Sequence, residues 1–250
     1  MESLSRKLES PNGFSRLTKL SIESCLSFSL QNLISLQSLK IYSCENLTLL
    51  PDSMQNLATL QSLYIFKCKN LRSLPNFISL QSLPICWCEN LRSLPNLTSL
   101  QSLLLEKCGG LESFGDGGLP PNLTEFEVRY CKNLKQPMSE WGLDRLHSLT
   151  KLKMEGTIPS TEMLDSFPDS LPTSLTDLSI SDFKNLQSIS NMRLGLPNLT
   201  SLFIRNCPNL RSLPQEIDFP PTLGSLHIYY CPLVKKEIIA PSFSTSPELL

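Results

Sequence analysis

The sequence predicts an α/β solenoid, mostly β, in which stacked coils each contribute one short strand to a parallel sheet. Three observations predict this fold. The phrase LQSLYIFKCKNLRSLP at 60–75 returns as LQSLPICWCENLRSLP at 80–95. Related phrases recur along the chain at intervals of 19 to 26 residues. Within each phrase, the alternating L-x-I pattern is typical of a strand with one buried face.

The composition and charge of the chain argue against a nucleic-acid-binding, membrane-spanning or secreted protein. The chain has 250 residues, 40% of them hydrophobic, and a formal net charge of −1. That charge offers no basic excess for phosphate backbones, so we expect no nucleic-acid partner. The longest apolar runs fall short of the roughly 18 residues that cross a bilayer, so we expect no membrane partner. The start, MESLSRKLES, lacks the apolar core of a secretory signal, which predicts a cytoplasmic protein.

Ten repeats account for residues 15–236, and we number the opening leucine of each as position 1. Apolar side chains also fill positions 4 and 6, as Leu63 and Ile65 do in the third repeat. One repeat cannot bury these residues alone, so stacking must create a continuous core. The opening leucines are Leu17, Leu36, Leu60, Leu80, Leu100, Leu123, Leu149, Leu175, Leu199 and Leu223.

Eight of the nine cysteines occupy position 9 of a repeat. So many cysteines can indicate metal or redox chemistry, but metal sites need closely spaced pairs of ligands. A ladder of small buried thiols, one per repeat and all reduced, is the favoured interpretation. The ninth cysteine, Cys86, stands at position 7, where the strand alternation predicts an exposed side chain.

The rest of each repeat returns to the next strand over about ten residues interrupted by proline. Proline removes a backbone donor, so extended segments and 3-10 turns are expected on this side. The longer segments 137–148 and 158–172 have room for a short helix. The asparagine of each C-x-N-L motif is expected to hydrogen-bond nearby backbone in the turn. Pro84 lies inside an interior strand and predicts a local irregularity there.

Both ends of the chain leave the repeat pattern. Residues 1–14 are expected to form an N-terminal edge segment beside the first repeat. Residues 237–250, which are rich in serine and proline, are expected to form a loose C-terminal tail. The predicted organisation is therefore one repeat array flanked by two short segments.

The motif L-x-x-L-x-I-x-x-C-x-N-L-x-x-L-P resembles the leucine-rich repeat. The phrases CENL, CKNL, CPNL, RSLP and LPPNLTEF resemble the C-terminal region of plant disease-resistance proteins of the nucleotide-binding, coiled-coil type. The resemblance implies a horseshoe with a concave parallel sheet of about ten strands and an irregular, partly 3-10 convex side. It also implies a cytoplasmic sensor whose partner is a pathogen effector or a host protein.

The nucleotide-binding domain of that family is absent from this chain, and is itself an expected partner. The glycine-rich stretch GDGGLPP at 115–121 has no lysine for a phosphate, so it is not a P-loop. The two histidines, His147 and His227, lie far apart in the array. No catalytic set is visible by spacing, and we expect no enzyme activity, cofactor or metal.

Candidate binding residues are those that point away from the core along the strands. Tyr64, Phe66 and Trp87 are expected to form the central anchor of a protein interface, because aromatic residues dominate interface hot spots. Alternatively, such residues cover strand edges or pack on one another, and outward charges serve solubility. The full set is Tyr42, Tyr64, Phe66, Trp87, Leu104, Glu127, Arg129, Tyr130, Phe203, Arg205 and Tyr229.

Two other functions remain open from the sequence. An extracellular repeat protein that binds or inhibits a ligand would require a signal peptide and paired cysteines. A repeat domain belonging to an enzyme would require a catalytic constellation. The favoured function is a protein-recognition module in a plant immune receptor.

Overall fold

The computed structural model describes residues 15–25, 30, 33–115, 117–156, 158, 171–189, 195–213 and 219–234. Each repeat contributes one five-residue strand that includes its L-x-I pattern. The strands are β1 (Lys19–Glu23), β2 (Ser38–Tyr42), β3 (Ser62–Phe66), β4 (Ser82–Cys86), β5 (Ser102–Glu106), β6 (Glu125–Arg129), β7 (Lys151–Glu155), β8 (Asp177–Ser181), β9 (Ser201–Arg205) and β10 (Ser225–Tyr229).

The chain forms two compact units, Met1–Asn122 with β1 to β5 and Leu123–Leu250 with β6 to β10. Within each unit, neighbouring strands pair in parallel and in chain order. The register places equal repeat positions side by side, as Ile41 with Ile65 in the first unit and Leu178 with Leu202 in the second. This arrangement confirms the predicted solenoid of about ten parallel strands.

The side chains at positions 1, 4, 6 and 9 of each repeat form a large part of the core, together with the leucine of the C-x-N-L motif. In the third repeat, Leu60, Leu63, Ile65 and Cys68 have no exposed surface. Fully burying an aliphatic side chain is worth about 1.5–3 kcal/mol. Because each repeat presents the same residues to its neighbours, the same packing recurs along the stack.

The cysteine ladder lies in the turn that follows each strand. Seven of its eight members are buried, and Cys25 in the first repeat is half-buried. Each thiol donates to the carbonyl two residues earlier, as Cys44 Sγ does to Tyr42 O at 3.4 Å. Burial raises the pKa of Cys68 to about 11 and that of Cys88 to about 12. A raised pKa favours the neutral thiol, in keeping with a packing role.

The return legs contain 3-10 turns at Asp52–Asn56, Met138–Glu140 and Leu143–Arg145. The segment 137–148 therefore forms two 3-10 turns rather than one helix, because Gly142 between them takes a positive φ of 71°. These turns bury Trp141, whose Nε1 donates to Gln136 O at 2.9 Å. Most of 158–172, and the segments 1–14 and 237–250, lie outside the described residues.

The asparagines of the C-x-N-L motif join one repeat to another. Asn70 Nδ2 donates to Glu45 O at 2.6 Å, and Asn209 Nδ2 donates to Lys184 O at 2.7 Å. Each acceptor belongs to the preceding repeat, so these bonds do more than cap a local turn. They satisfy backbone carbonyls on the turn side of the stack.

Pro84 produces the irregularity that the sequence predicts. The pairing of β3 with β4 joins Ser62 to Ser82 and Ile65 to Ile85 but omits the pairs of Leu63 and Tyr64. The Ser82 amide donates to Gln61 O at 3.0 Å, and a parallel ladder repeats every second residue. The next donor in this series would be the amide of residue 84, which proline lacks.

Candidate functional site

The candidate site is the face of the strands that points away from the core, which we call the open face. It carries positions 3, 5 and 7 of each repeat, since successive side chains of a strand alternate between faces. In β3 these are Ser62, Tyr64 and Phe66, all half-buried, while Leu63 and Ile65 between them are buried. Neighbouring side chains cover one another enough to leave each only partly in contact with water.

Position 8, directly after each strand, takes a left-handed backbone conformation throughout the described repeats. Nine non-glycine residues there have φ between 50° and 67°, and Gly156 has φ 83°. In eight of the repeats the amide at position 8 donates to the last carbonyl of the next strand, as Trp87 N does to Glu106 O at 2.8 Å. This conformation costs about 1–2 kcal/mol for a residue with a side chain. The composition of position 8, which includes Trp87, Tyr130 and Tyr230, gave no sequence signal for it.

Three of the predicted residues form an aromatic cluster on β2 and β3. The Tyr64 and Phe66 rings are stacked with centroids 6.2 Å apart and an interplanar angle of 11°. The Tyr42 ring lies 5.5 Å from Tyr64 and 6.4 Å from Phe66. Pairs with such geometry are favourable beyond the area they bury. The rings do pack on one another, yet all three stay half-buried.

Lysines at position 8 lie over the rings of this surface. Lys107 Nζ is 3.5 Å from the centroid of the Trp87 ring, and Lys67 Nζ is 5.2 Å from that of Phe66. An ammonium group over an aromatic face is attracted by the negative potential of the ring. Leu104 on β5 is half-buried on the same open face. We call Tyr42, Tyr64, Phe66, Trp87 and Leu104 the aromatic patch.

The prediction that Cys86 is exposed is wrong. Its side chain lies on the open face but is only 5% exposed. The Cys86 thiol forms a hydrogen bond with the Tyr64 side chain, a larger residue that helps to cover it. Burial, followed by the neighbouring Cys86, raises the pKa of Tyr64. Strand alternation gives the direction of a side chain, but it does not say how far its neighbours extend over it.

The open face of β6 and β7 carries a network of four charged residues, Glu127, Arg129, Lys153 and Glu155. Arg129 forms an ion pair with Glu127, and its Nε lies 3.7 Å from Glu155 Oε2. Lys153 Nζ lies 3.1 Å from Glu127 Oε1 and 4.0 Å from Glu155 Oε2. Each charge thus faces a partner of opposite sign within the protein. Glu127 and Arg129 thus pair with each other and with the other two charges of the network.

Tyr130 is 40% exposed and lies across the next repeat. Its hydroxyl donates to Glu155 Oε1 at 3.1 Å. Its ring passes so close to Gly156 that a Cβ on that glycine would meet the ring at 2.2 Å. Burial and then Glu155 raise the pKa of the Tyr130 hydroxyl, which keeps the proton on the donor.

A second group of rings lies on β9 and β10. Phe203 is 5.5 Å from Tyr229 and 6.3 Å from His227, between ring centroids. His227 and Tyr229 are stacked at 6.2 Å with an interplanar angle of 5°. The Arg205 guanidinium lies 5.9 Å from the centroid of Tyr230, which is 58% exposed. Phe203, Arg205 and Tyr229 are predicted binding residues, and His227 and Tyr230 join them on these two strands and the turn after β10.

Within the described residues, no group of three or more His, Cys, Asp or Glu side chains could hold a metal ion. No described helix is long and apolar enough to cross a bilayer. A hollow of about 330 Å³ near the glycine-rich loop is lined by Pro95, Phe114, Pro120 and their neighbours. None of its described lining residues is ionisable, so it offers no group for acid–base chemistry.

Comparison with known proteins identifies the fold. The leucine-rich repeat domain of the type III effector XopL superposes with a TM-score of 0.67 and 26% identity, covering 87% of this chain and 77% of that chain. A candidate disease resistance protein of Arabidopsis thaliana is 38% identical over 76 residues, which is 30% of this chain and 5% of the relative. The chain therefore matches only a small part of that relative. No family model matches the chain.

The fold is thus that of a leucine-rich repeat solenoid, and domains with this fold generally bind proteins. The structure gathers the eleven predicted site residues into three groups rather than one. The aromatic patch lies in the first compact unit. The second unit holds the charge network with Tyr130, and separately the rings of β9 and β10. Of the three groups, the aromatic patch brings together the largest number of predicted residues, five, and none of them is charged.

Proposed function

We propose that this chain is the sensing region of an intracellular plant immune receptor, and that it binds a pathogen effector or a host protein through the aromatic patch. The observation that carries the proposal is the clustering of Tyr42, Tyr64 and Phe66 on an open sheet face. A half-exposed cluster of rings is unusual on a surface that contacts only water. Large aromatic side chains supply much of the energy of protein interfaces.

The plant defence role rests on the stretch of 76 residues that is similar to the Arabidopsis protein. It is supported by the C-x-N-L and L-P-P-N-L phrases, which resemble the repeats of plant receptors. A cytoplasmic location accords with the nine cysteines, which are all free thiols. The nucleotide-binding domain of such a receptor is a further proposed partner.

A triple substitution, Tyr64→Ala, Phe66→Ala and Trp87→Ala, tests the proposal. Proximity labelling in infected leaf tissue would identify partners of the unmodified chain, and purified proteins would then give dissociation constants. We expect the triple variant to bind the partner at least about 100-fold more weakly, since a hot-spot residue contributes about 2 kcal/mol or more.

A control variant removes three exposed apolar side chains from outside the open face. Ile34, Leu49 and Ile78 are 68%, 58% and 68% exposed, and all three lie outside the strands. Their triple alanine variant should bind like the unmodified chain. Urea unfolding of both variants would show that the fold persists. Equal binding by the aromatic triple variant and the unmodified chain would exclude this patch as the interface.

A further inference from the structure

The charge along the open face differs between the two compact units once position 8, at the end of each strand, is included. We therefore count ionisable side chains at the open-face positions 3, 5 and 7 and at position 8, whose lysines lie over the rings of this surface. In the first unit, four lysines (Lys19, Lys40, Lys67 and Lys107) accompany two glutamates (Glu23 and Glu106), which gives a net charge of +2. This excess is local, because the whole chain carries −1.

The second unit has the opposite balance. Its open face carries four basic and five acidic residues, a net charge of −1, and ion pairs connect most of them. The basic residues are Arg129, Lys151, Lys153 and Arg205, and the acidic residues are Glu125, Glu127, Glu155, Asp177 and Asp182. The positive excess therefore coincides with the aromatic patch and is not a general property of the repeats.

Two of the lysines are held directly against the patch. The left-handed backbone at residues 67, 87 and 107 sets their side chains at the same end of three successive strands. Lys107 Nζ lies 3.5 Å from the Trp87 ring centroid and Lys67 Nζ lies 5.2 Å from that of Phe66. An anionic group that pairs with either ammonium thus also contacts an aromatic ring. The two lysines stand two strand spacings apart, about 10 Å.

We propose that the aromatic patch selects an acidic, apolar segment of its partner protein, in which Asp or Glu alternates with large apolar residues. The apolar side chains cover Tyr42, Tyr64, Phe66 and Trp87, while carboxylates pair with Lys67 and Lys107. Complementary charge gives specificity and faster association, and the rings supply contact area. This inference rests on the proposed function and specifies the chemistry of its partner.

The test uses three pools of fluorescent 12-residue peptides with equal Leu, Phe and Tyr content. The remaining positions hold Asp and Glu in the first pool, Lys and Arg in the second, and Ser and Gln in the third. Fluorescence polarisation with the purified chain would compare their affinities at low and high salt. We expect the acidic pool to bind about tenfold more tightly than the neutral pool, and the basic pool to bind most weakly. The difference should shrink as salt screens the charges.

Variants separate the charge effect from the apolar contact. Lys67→Gln with Lys107→Gln should remove the preference for the acidic pool but keep the binding shared with the neutral pool. Lys69→Gln is the matched control, because Lys69 follows the cysteine turn, outside the open face, and lies 3.9 Å from Glu45. That control should keep the full preference.

Three results would overturn the inference: equal affinity for all pools, an acidic preference that persists in the double lysine variant, or no binding by any pool. The triple alanine variant of Tyr64, Phe66 and Trp87 distinguishes failure of this inference from failure of the proposed function. If it loses all binding while the pools bind equally, the patch is the interface but has no charge preference. If it binds every pool unchanged, the patch is not the interface.

Discussion

At the scale of single residues, the structure shows why position 8 carries such varied side chains. In eight repeats the amide of position 8 donates to the last carbonyl of the next strand, as Lys67 N does to Cys86 O at 2.9 Å, so the left-handed backbone is part of the ladder. The side chain takes no part in that bond. Bulky residues such as Trp87 and Tyr130 can therefore stand where glycine would normally be favoured. Backbone hydrogen bonds between the strands offset the free-energy cost of the left-handed conformation. The side chain at position 8 therefore remains available to contact a partner.

Gly156 is the one position-8 residue that we expect not to tolerate a side chain. A Cβ there would meet the Tyr130 ring at 2.2 Å, and its φ is 83°. We expect Gly156→Ala to lower the free energy of unfolding by about 1–3 kcal/mol, through displacement of the ring and backbone strain. Urea unfolding followed by circular dichroism would measure it.

Gly224→Ala is the control for this prediction. Gly224 precedes a strand of the same compact unit, and a Cβ there would meet only Thr200 O at 3.9 Å. That variant should unfold within about 0.5 kcal/mol of the unmodified chain. A Gly156 variant of equal stability would show that Tyr130 moves aside at no cost.

At the scale of one strand, β4 shows a conflict between sequence and ladder. Pro84 lies in a strand paired on both sides, and the pairing with β3 is interrupted at that point. A buried carbonyl that loses its donor costs about 1–3 kcal/mol. The strand persists because Leu83 and Ile85 on either side are fully buried in the core. Burial of the repeated aliphatic residues outweighs the loss of one backbone bond.

Replacing Pro84 with leucine, the residue that β5 has at the same position, restores the amide. We expect Pro84→Leu to raise the free energy of unfolding by about 1 kcal/mol, since the regained bond exceeds the roughly 0.4–1 kcal/mol by which proline restricts the unfolded chain. Hydrogen exchange of the residue 84 amide would show directly whether it is protected.

Leu104→Pro is the reciprocal variant and should destabilise β5 by a similar or larger amount. Its urea unfolding midpoint should fall below that of the unmodified chain. If Pro84→Leu lowered stability, the interruption of the ladder would have to be favourable for a reason other than backbone bonding.

At the scale of the whole molecule, the buried positions of each repeat could be predicted from the sequence. The contacts among the variable side chains on the open face could not. Leu, Ile and Cys recur at fixed positions because every repeat meets the same environment, so periodicity alone located all ten strands. The side chains of Cys86 and Lys107 show what periodicity does not predict. The exposure of Cys86 depends on how far Tyr64 extends, which no periodicity encodes. The pairing of Lys107 with Trp87 depends on a left-handed backbone that varied residues adopt.

Because of the cysteine ladder, we expect the free energy of unfolding to depend on pH in the alkaline range. The pKa of Cys88 is about 12 and that of Cys68 about 11 in the folded chain, both raised by burial from an ordinary value of 9.0. The folded state therefore keeps protons that the unfolded state releases. The stability from these thiols is complete below pH 9 and is lost as the pH rises toward about 12.

Urea unfolding at pH 8 and pH 10.5 tests this pH dependence in the unmodified chain and in Cys88→Ala. The alanine variant should be less stable at pH 8 but should lose less stability on going to pH 10.5. Lysine and tyrosine titrations are common to both proteins and cancel in the comparison. If both proteins lost the same unfolding free energy between pH 8 and pH 10.5, Cys88 would not be the source of the pH dependence.

Backbone amides, hydroxyl groups and asparagine side chains form hydrogen bonds to atoms of the neighbouring repeat. Genetic recombination can therefore insert or remove one complete repeat while keeping these bonds. A tandem duplication of residues 80–99 would find matching donors and acceptors on both of its sides, except for the amide that Pro84 lacks. It would place a second tryptophan beside the first and shift every later side chain by one strand. The gene could in this way remodel what the protein recognises while inheriting a scaffold that already folds.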